Sequence, residues 1–190
     1  SFCDTLAKDD QIIVTYSATL NEKAKIGKTT GNTNTTYLKY GDSSKTQDST
    51  TTTYTFEIPV LKYTNKGTPA TETPLANAKF KLSKDENGKT PIYLVDITKT
   101  GDSDNIYRVA KATEDPSITK ITEIITPDSG KLRIQGLDEG IYYLTETKQP
   151  DGYNILKEAI RIDIDKDGNI KYASKSETLN PMTSGGDVKV

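Results

Sequence analysis

Tyr142-Tyr143-Leu144-Thr145-Glu146-Thr147-Lys148-Gln149-Pro150-Asp151-Gly152-Tyr153 sets a carboxylate in a run that reads as a half-buried strand, and closes that run with a Pro-Asp-Gly turn. By alternation Tyr142, Leu144 and Glu146 share one face, and Tyr143, Thr145 and Thr147 share the other. Either Glu146 points inward with Leu144, or Leu144 points outward. A buried carboxylate without a partner is costly unless it is neutral or hydrogen-bonded, so an inward Glu146 is a candidate for chemistry. An outward Glu146 is an ordinary exposed strand residue.

Around that strand the composition points to an all-β chain. Threonine is abundant, Trp and His are absent, and β-branched runs are broken at short intervals by Pro and Gly, the pattern of a β-sandwich. At 190 residues there is room for one or two domains, each able to bury a core. The net charge of −2 leaves no basic footprint, so nucleic acid is not expected as a partner. No apolar run is long enough to cross a bilayer. Cys3 stands alone and cannot staple the fold; it reads as a small buried hydrophobe. With no His, no Cys pair and no Gly-rich phosphate loop, neither a metal nor a cofactor is expected. Asp163-Ile164-Asp165-Lys166-Asp167-Gly168-Asn169 opens like a calcium loop, but its twelfth position is Ser174 and strands flank it, so a hairpin turn at Asp167-Gly168 is the better account.

The run Tyr-x-Leu-x-Glu-x-x-x-Pro-x-Gly-Tyr at 142–153 resembles the E-box of the collagen-adhesin B-type (Cna-B) domains of Gram-positive pilins and surface adhesins. Pro74-Leu75-Ala76-Asn77-Ala78-Lys79-Phe80-Lys81-Leu82 is similar to a pattern near the start of such domains, and Gly136-Leu137-Asp138-Glu139-Gly140-Ile141-Tyr142 to the lead into the box. Three motifs in order within one domain's length make the match specific. The resemblance implies immunoglobulin-like β-sandwich domains in tandem, carrying a self-generated Lys-Asn isopeptide bond. Lys62, shortly before the Pro-Leu-x-x-Ala segment, takes the place of the nucleophile, and Glu146 that of the proton shuttle. The acceptor is either Asn180 or an asparagine beyond Val190. Such a condensation needs a neutral amine, a polarised amide carbonyl and a proton shuttle, and burial supplies the first by disfavouring the lysine cation. One turnover suffices, so no enzyme is expected.

The chain divides into residues 1–60 and 61–190. In the first part, strands are expected at Gln11–Asn21, Asn34–Tyr40 and Thr53–Tyr63, with the Ser/Thr/Asp stretch between the last two as a loop. Three strands do not make a sandwich, so this part reads as the C-terminal portion of a domain. It resembles the last strands of the collagen-adhesin A-type domain, which implies that Asn34, with Asn21 and Asn32 as rivals, accepts a bond from an upstream lysine. In the second part, strands are expected near 78–83 and 92–98 around a hairpin turn at Asp85-Glu86-Asn87-Gly88. After an irregular middle at 99–129, others follow near 131–135, 141–147, 157–164 and 169–173, and a last one begins at Val188. Residues 117–125 fit a strand or a short helix equally well.

The expected function is that of a structural subunit, a backbone pilin fragment of an extracellular, wall-anchored pilus joined to other pilin subunits by sortase-catalysed polymerisation. The alternative is an adhesin stalk or host-binding module that uses 99–129 to hold a host matrix protein or glycan. With no signal peptide at the start and no sorting motif at the end, an internal fragment of a surface protein is expected.

Overall fold

The computed structural model describes residues 7, 13–21, 23–29, 31–66 and 71–190, and among them there is no helix. Period-two burial builds the core. Phe56, Ile58 and Val60 alternate inward on one strand, and Tyr142, Leu144 and Glu146 on another, so each strand has one apolar face that must be covered.

The chain begins with β1 (Asn32–Thr36), β2 (Lys39–Tyr40), β3 (Ser44–Lys45) and β4 (Ser49–Thr53). Two of these pair antiparallel as a ribbon, β1 with β4, and β2 pairs with β3. Then come β5 (Phe56–Leu61), β6 (Tyr63–Lys66), β7 (Thr71–Pro74), β8 (Lys79–Ser83), β9 (Leu94–Asp96), β10 (Asn105–Val109) and β11 (Ile124–Ile125). The remainder is β12 (Lys131–Leu137), β13 (Gly140–Lys148), β14 (Ile160–Ile164), β15 (Ile170–Ser174), β16 (Asn180–Pro181) and β17 (Val188–Lys189). Two sheets face each other, one ordered β17-β5-β12-β10-β9 and the other β11-β8-β13-β14-β15-β16. Ile58, Val60, Leu132 and Ile134 from the first meet Phe80, Leu82, Leu144 and Ile162 from the second, all fully buried. The β10–β12 and β17–β5 pairings are parallel. Tyr142 donates its hydroxyl hydrogen to the Asp138 carbonyl at 2.8 Å, a tyrosine corner that ties the lead of β13 to its first turn of strand.

Several sequence expectations change here. Among the described residues of 11–21 there is no strand, and Ile13, Val14 and Tyr16 are exposed because no neighbouring strand offers them a covered face. The strand expected at 34–40 is broken between β1 and β2, and the Ser/Thr/Asp stretch is not a loop but holds β3 and β4. Polar, β-branched threonines suit a ribbon that is wet on both sides, which is why hydropathy did not flag it. The strand expected at 53–63 is divided between β4, β5 and β6, and β5 already belongs to the sandwich through its pairing with β12. Cys3, Gln11 and Ile12 lie outside the described residues.

The Asp85 turn forms, its carboxylate accepting the backbone N–H groups of Asn87 and Lys89. It does not join a long hairpin. After one bridge at Ser83–Pro91, flanked by the bonds from Lys84 N–H to the Thr90 carbonyl and from Ile92 N–H to the Leu82 carbonyl, the chain crosses to the other sheet, where β9 pairs with β10. The middle at 99–129 contains a core strand, β10, and residues 117–125 are turns that end in β11. Its outer loop is held by Arg108, which clasps Glu114 with two bonds of 2.7 and 2.8 Å. The guanidinium, helped by the Lys111 N–H, pulls the Glu114 carboxyl down to about 2. At the Asp165–Asn169 turn the Asp165 carboxylate accepts from the backbone of Asp167 and Asn169, and Gly168 takes φ +81°, so β14 and β15 form the expected hairpin.

Thr126 fastens the Pro74–Ala78 segment to the core. Its hydroxyl donates to the Leu75 carbonyl at 2.9 Å and accepts the Ala78 N–H at 3.0 Å, while the residue is almost fully buried. Thr126→Val keeps the shape but strands both backbone groups, and is expected to cost about 1–3 kcal/mol in chemical denaturation. A loss under about 0.5 kcal/mol would show that the segment is held by packing alone.

Candidate functional site: a buried lysine–glutamate pair

Lys62 directly follows β5, and its backbone is fixed on two sides. Its N–H donates to the Gly130 carbonyl, and its own carbonyl accepts from the Leu75 N–H, both at 2.9 Å. The alternation of β5 carries its side chain inward after Ile58 and Val60, and only 5% of the residue is exposed. Glu146 is 4% exposed, on the inner face with Tyr142 and Leu144, so the question left open by the sequence is answered as inward. It lies opposite Phe80, and the ladder between β13 and β8 is irregular just beyond it, between Glu146 and Lys148.

The Lys62 Nζ lies 3.0 Å from Glu146 Oε1, across the gap between the two sheets. Glu146 Oε2 accepts the Leu156 N–H at 2.7 Å, which orients the carboxyl. Oε1 is buried and, among the described residues, accepts no hydrogen bond, so its contact with the lysine is one of charge. Burying two opposite charges costs more than burying apolar groups of the same size, so such a pair is weak evidence for stability alone.

Asn180 is not brought to this pair. It sits exposed on β16, the edge strand of its sheet, three strands along from β13, and its amide donates to the Thr178 carbonyl at 3.1 Å. An edge position also explains how Pro181 fits in a strand. What does lie beside Lys62 is the last strand. Val188 and Lys189 pair with Val60 and Leu61, Val190 N–H donates to the Leu61 carbonyl, and Tyr63 N–H donates to the Val190 carbonyl, each of the last two at 3.0 Å.

In the N-terminal region Asn34 is exposed on β1 and its amide is bonded to the Tyr16 hydroxyl. Asn21 accepts the Lys23 N–H, and Asn32 bridges the Lys25 backbone and the Thr53 carbonyl. No group of His, Cys, Asp and Glu among the described residues is arranged to hold a metal, and no helix there is long and apolar enough to cross a membrane. Sequence reasoning missed four residues around the last strand, Glu72, Lys131, Asp187 and Lys189, because nothing in their spacing announces that they meet.

Two facing sheets with a lysine and a glutamate in contact between them define a prealbumin-like, immunoglobulin-like β-sandwich. Residues 62–178 match the family described as SpaA, prealbumin-like fold domain, and the chain belongs to that family. The structure is similar to that of the group B streptococcus pilus 2b backbone protein, with a TM-score of 0.54 at 22% identity over 88% of this chain and 52% of that one. GBS52, the minor pilin of Streptococcus agalactiae, matches at 25% identity and TM-score 0.38, over 72% of this chain and 42% of that one. The pilus backbone RrgB of Streptococcus pneumoniae matches at 15% identity and TM-score 0.43, over 86% and 49%. The chain thus spans about half the length of these relatives. No curated protein sequence matches it.

Proposed function

We propose that the chain is part of a structural subunit of a Gram-positive surface pilus, and that its sandwich locks itself with an amide bond from Lys62 to an asparagine. The observation that carries the reading is the buried contact of 3.0 Å between Lys62 Nζ and Glu146 Oε1, an oxygen that accepts no hydrogen bond among the described residues. A proton passing from the ammonium to the carboxylate leaves a neutral amine, which attacks the carboxamide carbon. The Glu146 carboxylic acid then faces the amide oxygen, where negative charge develops. As the new C–N bond to Nζ forms and the old one breaks, Glu146 hands its proton to the departing nitrogen and takes the one that Nζ sheds, so ammonia leaves and Glu146 ends protonated. Preset geometry supplies the entropy that a bimolecular condensation would have to find.

The acceptor belongs on the strand next to Lys62. We assign it to polypeptide continuing β17 past Val190, since Asn180 faces solvent at the far edge of the other sheet. The residues before β5 fit the C-terminal part of a preceding A-type sandwich, with Asn34 as the acceptor of that unit, while residues 56–60 of the expected 1–60 belong to the following sandwich. The exposed Ile13, Val14 and Tyr16 support this, as a completed sandwich would cover them. In this role the protein is extracellular, its partners are further pilin subunits joined by a sortase, and its chemistry is a single self-directed turnover.

The test is intact mass and peptide mapping on protein that includes the sequence following Val190. A mass about 17 Da below that of the sequence, with the Lys62 peptide joined to a downstream one, is expected from loss of one ammonia to the lysine nucleophile. An unmodified Lys62 peptide overturns the reading, and ammonia loss in a chain ending at Val190 would return the acceptor to Asn180.

A further inference from the structure

We propose that two ion pairs, Lys131–Asp187 and Glu72–Lys189, act as a register latch that seats the last strand beside Lys62; as a step toward the cross-link, this rests on the reading above. β17 has only two paired residues, lies parallel to β5 at the edge of its sheet, and is anchored in the core by Val188, with Val190 partly buried against it. So short a parallel strand is weakly specified by its ladder. A slip of one residue would drive Lys189 into the core and Val188 out, so burial forbids it. A slip of two residues keeps the faces correct, and in one direction it sets Val190, a residue of the same type, in the place of Val188. Some other device must exclude it.

The charges on the outer face supply that device. Asp187 reaches across β5 to Lys131 of β12 at 3.1 Å, while Lys189 reaches Glu72 of β7 and lies 5.7 Å from the centre of the Tyr63 ring. Asp187 and Lys189 carry opposite signs two residues apart, and so do their partners. Sliding the strand by two in one direction sets Lys189 against Lys131, and sliding it in the other sets Asp187 against Glu72. Each even slip therefore exchanges an attraction for a repulsion, which is specificity by penalising the wrong state. The pairs are partly exposed, so they add little to stability and are screened by salt. Their role is positioning, acting through the strand that would carry the acceptor.

Single reversals, Asp187→Lys or Glu72→Lys, are expected to slow ammonia loss about three- to tenfold at low salt, and the paired swap Lys131→Asp with Asp187→Lys to restore it. In roughly 1 M salt the single variants should approach wild type. Hydrogen exchange at the Val190 amide reads the docking without the bond, in Glu146→Gln protein or, should that not fold, in Lys62→Met protein. Less protection in the single reversals and recovery in the swap support the latch. Unchanged rates together with unchanged Val190 protection overturn it. If wild type never loses ammonia the cross-link reading falls, and Val190 exchange alone then decides the latch by the same two outcomes.

Discussion

Glu146→Gln protein is expected to keep the mass of its sequence, and the wild type, carried past Val190, to be about 17 Da lighter through loss of ammonia to the lysine nucleophile. The amide side chain preserves the shape of the carboxyl but can neither take a proton from Nζ nor hand one to the departing nitrogen, so the condensation has no proton shuttle. Glu146→Ala should block the bond as well while keeping the strand. The thermal consequence is large. A tie between Lys62 and a residue just after Val190 closes a loop of about 130 residues, worth on the order of 4–5 kcal/mol by chain entropy. For a domain of this size that corresponds to a fall in Tm of roughly 15–25 °C. Trypsin should then spare the wild-type sandwich and cut the variant. A Glu146→Gln protein that still loses ammonia at Lys62 would remove Glu146 from the reaction.

Gly130→Ala is expected to destabilise the sandwich by about 3–5 kcal/mol, well beyond an ordinary glycine substitution. Gly130 has φ +68°, and a Cβ there would sit 2.5 Å from the Lys62 carbonyl oxygen and 3.0 Å from the Leu75 nitrogen. Relief requires moving the backbone that fixes Lys62, which puts both of its backbone hydrogen bonds at risk. Gly88 is the control, with the same φ of +68° and nothing within 4 Å of an added Cβ. Gly88→Ala should cost only the backbone conformation, about 1–2 kcal/mol. Equal losses at the two sites by urea denaturation would show that the approach to Lys62 has no energetic weight.

The strongly alternating strands could be read from residues alone. β12, β13, β14 and β15 lie where apolar and polar positions alternate between turn residues, since burial on one face demands that period. The turns at Asp85 and Asp165 were equally legible, because each depends on a carboxylate and a glycine within a few residues. Lys62 and Glu146 were marked by motif order, but alternation left the direction of Glu146 open. What decided it was the opposite sheet, which covers the Leu144 face and brings Lys62 to it from 84 positions away in the chain. β4 escaped notice for the reverse reason, as a strand wet on both faces has no hydropathic period. By itself, then, the sequence determined the alternation along the strands and the local turns, set by neighbours a few residues apart, and motif order marked the two side chains that meet between the sheets. Only the tertiary structure decided which strands adjoin, that Asn180 lies at a remote edge, and that β17 runs parallel beside Lys62. Those outcomes depend on burying two sheets against each other, a free energy that no single segment contains.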